Sequence, residues 1–203
     1  MIISNDIIWL HLPKTGGTTL NSVFRNIGKF EVDSDSEKDE YGIRIKHDSI
    51  ERRESMSSWK YSNQKKFITC RRLPDWILSD FFFKKDVLRI DSDFNLCKNG
   101  MVTYSIRHGG QIKFADWWIE YFNLKDVTSL RLEYLSEDVN SKIVPYISNL
   151  NHINIGVKEN KSLRDKKILN YFSLDDIKIL YQNNPLWQTW EKLTYGNTYL
   201  EII

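Results

Sequence analysis

The chain has 203 residues, enough to bury a full hydrophobic core and few enough for one domain. Hydrophobic residues make up 41% and aromatic residues 13%, which argues against an intrinsically disordered chain. A net charge of +2 argues against general nucleic-acid binding, so any affinity for anions has to be local, built from particular cations and backbone amides.

The N-terminus has no basic stretch followed by an apolar one, and no apolar run approaches the length of a bilayer span. The expectation is a soluble cytoplasmic protein, in which the sequon Asn160-Lys161-Ser162 carries no glycan. Residues 7–12 form a short apolar run that reads as a buried strand. After the pair Gly16-Gly17, Leu20, Val23, Phe24 and Ile27 fall on one helical face that Gly28 ends. Residues 31–40 turn acidic and polar, as in a surface loop, and residues 42–46 alternate like a strand ending at His47. Residues 66–71 read as a third strand, with Cys70 a buried structural thiol. Cys70 and Cys97 alone make neither a disulfide framework nor a metal cluster.

Pro74 suits the first turn of a helix through Trp76, Ile77, Leu78 and Phe81. Weak periodicity from 83 to 110 predicts irregular structure or a lid. Residues 112–122 read as a helix, 127–132 as a strand, and 136–147 and 174–183 as helices, with Pro185 starting the last one. With no repeat and no linker, the chain reads as a single domain over residues 1–203. The alternation of strands and helices predicts an α/β fold, a three-layer sandwich around a central, mainly parallel sheet. Ligands of such sheets sit at the carboxyl ends of the strands, where the Gly-rich turn, His47 and Arg71 converge.

The segment Leu12-Pro13-Lys14-Thr15-Gly16-Gly17-Thr18-Thr19 has the chemistry of a phosphate loop. Glycine adopts positive φ cheaply and lets an anion approach the backbone closely. A helix beginning near Thr18 adds its dipole and free amides, Thr15, Thr18 and Thr19 add hydroxyls, and Lys14 adds a mobile positive charge. A Walker A loop carries its lysine after the glycines, whereas Lys14 precedes them, so an ATPase or nucleotide kinase is the poorer match. Lys14-Thr15-Gly16 and Ser57-Ser58-Trp59-Lys60 spell two motifs of serine β-lactamases, but in reversed order.

The loop resembles the 5′-phosphosulfate-binding loop of sulfotransferases that use 3′-phosphoadenosine 5′-phosphosulfate, in the form found in carbohydrate-type and bacterial members. The resemblance implies a P-loop-like nucleotide-binding topology. It also implies that Lys14 contacts the 5′-phosphate and the oxygen bridging to sulfur, with Thr15, Gly16, Gly17, Thr18 and Thr19 wrapping the phosphate. Arg71 and Ser79 stand at the spacing of the arginine and serine that bind the 3′-phosphate, although Arg71-Arg72-Leu73 replaces the common Arg-Asp-Pro. Residues 130–135 are similar to the family's Arg-x-Glu-x-Leu strand, and residues 160–162 and 193–196 share its look. Lys158, Lys161 and Arg164 are candidates to close over the 3′-phosphate, or else form a solvated basic face.

Transfer of a sulfuryl group to a hydroxyl is an in-line displacement that depends on positioning and electrostatics. Lys14 is the candidate to stabilise the leaving oxygen. The resemblance implies no metal. His47 is the first candidate base, since an imidazole is largely neutral and able to take a proton near pH 7; Glu40 or Asp39 is the reserve. His11 reads as structural, packed at the end of the first strand, His108 as a possible acceptor-site residue, and His152 has no marking context. Arg89, Arg107, His108 and Lys113 fall where an acceptor loop is expected. Trp117, Trp118 and Tyr121 are either sugar-stacking rings or core. The loop type favours a carbohydrate hydroxyl as acceptor over a small-molecule or lipid alcohol. The competing readings are a P-loop kinase or NTPase and a non-catalytic nucleotide-binding protein.

Overall fold

The computed structural model describes residues 1–32, 45–56, 59–103, 111–156 and 167–203. The chain divides into two compact units: Met1–Cys70 with Tyr121–Lys161, and Arg71–Glu120 with Ser162–Ile203. The fold is α/β, and no helix among the described residues is long and apolar enough to cross a membrane.

The first unit is built on a five-stranded sheet in the order β3-β1-β2-β4-β7. Its strands are β1 (Ile2–Ile3), β2 (Ile7–Leu10), β3 (Glu31–Val32), β4 (Lys65–Cys70) and β7 (Val127–Arg131). The sheet is mixed. β2, β4 and β7 run parallel, with Leu10 opposite Ile68 and Cys70 opposite Arg131, so their carboxyl ends share one edge. β1 adds antiparallel to both β2 and β3. β2 is buried along its whole length, which is why it reads as a continuous apolar run rather than an alternating one. Between β2 and β3 lies α1 (Gly17–Ile27), ended by Gly28 in the left-handed conformation. Its Leu20 and Phe24 pack into a core with Ile7, Trp9, Phe67 and Leu130, closed by Val139 and Ile143. Each such side chain contributes roughly 1.5–3 kcal/mol by leaving water.

Past β7 the chain turns through a 3-10 segment (Leu132–Tyr134) into α6 (Leu135–Asp138), a wider π-helical turn (Val139–Ile143) and a second 3-10 turn (Val144–Tyr146). The helix expected over 136–147 is therefore present as a helical run of changing pitch. Arg131 closes the junction, with its guanidinium on Asp138 at 2.6 Å and Glu137 at 2.9 Å. Burial alone would raise the Asp138 carboxyl, but hydrogen bonds from Arg131 and Lys142 outweigh it and hold the group below the usual carboxylate range. The strand expected over 42–46 lies mostly outside the described residues, and Ile45, Lys46 and His47 are not in a strand. Asp48 N–H closes a turn onto the Ile45 carbonyl at 3.0 Å, just before α2 (Ile50–Met56).

The second unit contains α3 (Leu73–Phe82), its π-helical extension (Phe83–Val87), α4 (Phe94–Lys98), α7 (Leu174–Asn183) and α8 (Pro185–Tyr195). A two-stranded antiparallel sheet of β5 (Met101–Thr103) and β6 (Ile112–Phe114) belongs to it as well. The expected helix over 112–122 is corrected here: β6 comes first, and α5 (Trp117–Phe122) starts only after Ala115 and Asp116. Asp116 explains the break, because its carboxylate accepts from Leu186 N–H at 2.8 Å and Trp187 N–H at 2.7 Å and so caps α8 from a distant residue. The irregular region expected over 83–110 likewise contains ordered elements, with Val87 exposed at the end of the π-helical extension and Leu88 and Ile90 exposed after it.

Glu191 ties this unit together. The carboxylate is fully buried, and it accepts from Leu73 N–H at 2.8 Å, Tyr181 hydroxyl at 2.9 Å, Tyr199 N–H at 2.7 Å and Arg72 Nη1 at 3.1 Å. Burial raises its pKa in spite of these donors. Arg72 continues to the Asn197 side chain at 2.8 Å and stacks over the Tyr195 ring at 4.4 Å. The second arginine of Arg71-Arg72-Leu73 thus has a structural role in this chain.

Candidate phosphate loop and histidine pair

Residues 11–16 connect β2 to α1 in the first unit. Lys14 has φ 64° and Gly16 has φ 82°, with Thr15 between them outside the positive-φ set. Alternating backbone hands of this kind curve a chain so that successive N–H groups face inward, making an anion-binding concavity. A lysine in the left-handed region costs about 1–2 kcal/mol that glycine would avoid.

Gly16 is also the N-cap of α1, so it has no side chain to cap the helix, and the first turn contains no acidic residue. Leu20 N–H makes the first bond of the helix, to Gly16 O at 3.2 Å. Among the described residues, the amides of Gly17, Thr18 and Thr19 have no acceptor. The other long helices begin differently: α3 on Glu191, α7 on Ser173 and α8 on Asp116. Thr15 is buried and its hydroxyl donates to Leu12 O at 2.7 Å, which holds the loop closed and commits that hydrogen to the main chain. Thr18 is exposed and Thr19 buried.

The two glycines have structural reasons that sequence reading did not supply. A Cβ on Gly17 would lie 1.6 Å from His11 Nε2, and one on Gly16 would lie 2.7 Å from a Leu132 methyl. The His11 ring therefore occupies the space that Gly17 leaves. It is 4% exposed, and its buried Nδ1 has no hydrogen-bond partner among the described residues. Burial, helped by His47 and Lys46, holds its pKa well below 6.5. His47 Nδ1 lies 2.8 Å from the His11 carbonyl, and the two rings meet edge-on at 4.5 Å. Beside it, buried Asp48 accepts from the Tyr121 hydroxyl at 3.2 Å and faces Arg52 at 3.7 Å. Tyr121 and Asp48 therefore pin the turn that presents His47. The sequence marks Tyr121 only as a stacking ring or core and assigns Asp48 no role.

A depressed histidine pKa has a consequence for stability. Below pH 6.5 the unfolded His11 ring binds a proton that the folded ring refuses, so stability is complete above that pH and declines as pH falls. The slope approaches about 1.4 kcal/mol per pH unit. Thermal denaturation from about pH 7.5 to about pH 5 should show this decline, and a His11→Asn variant should show a shallower one.

Arg71 and Ser79 belong to the second unit. Arg71 follows directly on the last residue of β4; its carbonyl accepts from Trp187 Nε1 at 3.1 Å, and its guanidinium is 4.0 Å from Asp75. Ser79 lies on α3, half-buried. Trp118 is core, Lys113 sits over the Trp117 ring at 4.7 Å, and Arg89 is exposed. Asp39, Glu40, Arg107, His108, Lys158, Lys161 and Arg164 lie outside the described residues. Cys70 is buried, and burial pushes the Cys97 thiol up to about 12, which keeps Cys97 a thiol rather than a thiolate near neutral pH. Among the described residues no group of three or more His, Cys, Asp or Glu side chains is placed to hold a metal ion. A recess lined by Asp80, Lys84, Ser92 and Cys97 has room for about one water and no more.

Comparison of the chain with family models, with curated proteins and with solved structures found no match. The loop and the histidine pair are what speak to function.

Proposed function

We propose that the chain is a sulfotransferase that moves a sulfuryl group from 3′-phosphoadenosine 5′-phosphosulfate to a hydroxyl, with a carbohydrate as the favoured acceptor. The observation that carries this reading is the loop itself. A lysine held left-handed before Gly16, at the end of a parallel strand, leads into an uncapped helix start with no acidic residue. In this reading the amides of Thr15 to Thr19 hold the 5′-phosphate and the Lys14 ammonium neutralises the leaving oxygen. The same reading takes the sheet as the parallel part of a P-loop-like, three-layer nucleotide-binding fold.

His47 supports the reading from the acceptor side. A carbonyl can only accept, so a 2.8 Å contact with the His11 carbonyl requires Nδ1 to carry the hydrogen. A neutral ring then has its lone pair on Nε2, as a general base needs. Arg71 and Ser79 are assigned to the 3′-phosphate by their spacing. Arg71→Ala should weaken adenosine 3′,5′-bisphosphate about tenfold or more while leaving adenosine 5′-phosphate nearly unchanged, a difference that equilibrium titration reads directly. Equal weakening of both nucleotides would remove Arg71 from the 3′-phosphate.

The reading is tested by transfer of labelled sulfate from the donor to a panel of glycans, phenols and lipid alcohols. Labelled product that disappears in His47→Ala supports it. Nucleotide binding without transfer to any acceptor turns the protein into a non-catalytic nucleotide binder.

A further inference from the structure

We propose that His11 is a positioning residue for His47, tying the base to the phosphate loop; the inference rests on the sulfotransferase reading above. Three contacts carry it. The His11 ring fills the space that Gly17 leaves, so the ring is locked against the first residue of α1. The Trp9 ring lies on another side of it, with centroids 4.9 Å apart. The His11 carbonyl, whose place follows from that lock, accepts from His47 Nδ1 at 2.8 Å, and the rings meet at 4.5 Å.

Held this way, His47 keeps the tautomer with its hydrogen on Nδ1. In the transfer step a bond forms between the acceptor oxygen and sulfur as the bond from sulfur to the bridging oxygen breaks. The bridging oxygen keeps the electron pair, beside Lys14, and the acceptor proton passes to His47 Nε2. The imidazolium so formed still donates from Nδ1 to the His11 carbonyl, which stabilises its charge. The His11 ring stays neutral because it is buried, and so adds no repulsion to that cation.

The test is a long-range proton–nitrogen correlation spectrum of the imidazoles in the full chain near pH 7.5, with His47 assigned from a His47→Gln variant. The inference expects His47 to show a protonated Nδ1 and an unprotonated Nε2. A protonated Nε2, or fast averaging of the two forms, overturns it. In His11→Ala the His47 pattern should move to a tautomer mixture, with kcat for sulfate transfer down about 10²-fold and the donor KM within about twofold. An unchanged pattern in that variant overturns the inference, and if His11→Ala does not fold, the same spectrum of His11→Asn makes the test with the same two outcomes. Addition of adenosine 3′,5′-bisphosphate to the same sample should shift the amides of Gly16 to Thr19. Unshifted amides overturn the nucleotide reading and the base role with it, whereas shifted amides with the wrong His47 tautomer overturn this inference alone.

Discussion

Lys14→Gly is expected to make the protein more stable and far less active. Glycine removes the cost of a left-handed side chain, about 1–2 kcal/mol, at a position whose φ is 64°. It also removes the cation assigned to the leaving oxygen, and loss of one such group costs roughly 10²–10³ in rate. The two changes are read separately, by denaturant unfolding and by initial rates of sulfate transfer. Opposite signs are the signature of a residue kept for chemistry against its own backbone preference. A gain in stability with unchanged turnover would show instead that the Lys14 charge plays no part. Lys14→Ala should lose the activity without the stability gain, because alanine retains a Cβ.

The largest stability effect is expected at Glu191, far along the sequence from the loop. Glu191→Ala should destabilise the second unit by about 3–5 kcal/mol, since it leaves the Arg72 guanidinium and the Leu73 and Tyr199 amides without their acceptor. For a chain of this size each kcal/mol is worth about 2–4 °C, so the melting temperature should fall on the order of 10 °C. Glu191→Gln keeps one acceptor oxygen but sets an NH2 against the donors that meet the other, so it should lose less than alanine yet still lose measurably. Comparable losses in both variants would show that the site needs both carboxylate oxygens as acceptors.

These two residues mark what the sequence reveals and what it hides. The strand, loop and helix around Lys14 were legible because three local signals agree: an apolar run, paired glycines, and an apolar face at helical spacing ended by Gly28. α7 was legible from its apolar spacing over 174–183, and the start of α8 from Pro185. Glu191 was not, because a glutamate on a helix looks the same whether it faces water or Arg72. Asp116 misled in the same way: its partners are the amides of α8, about seventy residues on, so the break between β6 and α5 has no local signal. β1 and β3, two residues each, carry too little pattern to be seen, and with them went the antiparallel half of the sheet. In the candidate site, His47 was singled out by residue type and by its place after an expected strand, where the structure has a turn. Its partner was missed because the contact is to a main-chain carbonyl, which leaves no trace in a sequence.

The central claim, that this loop holds the 5′-phosphate of a nucleotide phosphosulfate through Lys14 and the start of α1, is tested most directly by calorimetric titration with adenosine 3′,5′-bisphosphate. Metal-free titration is compared with ATP in the presence of magnesium. The account predicts saturable, metal-independent binding of the bisphosphate, lost in Lys14→Ala, with ATP at least about tenfold weaker. Tight, magnesium-dependent ATP binding with no response to the bisphosphate would contradict it and place the loop among nucleotide kinases or NTPases.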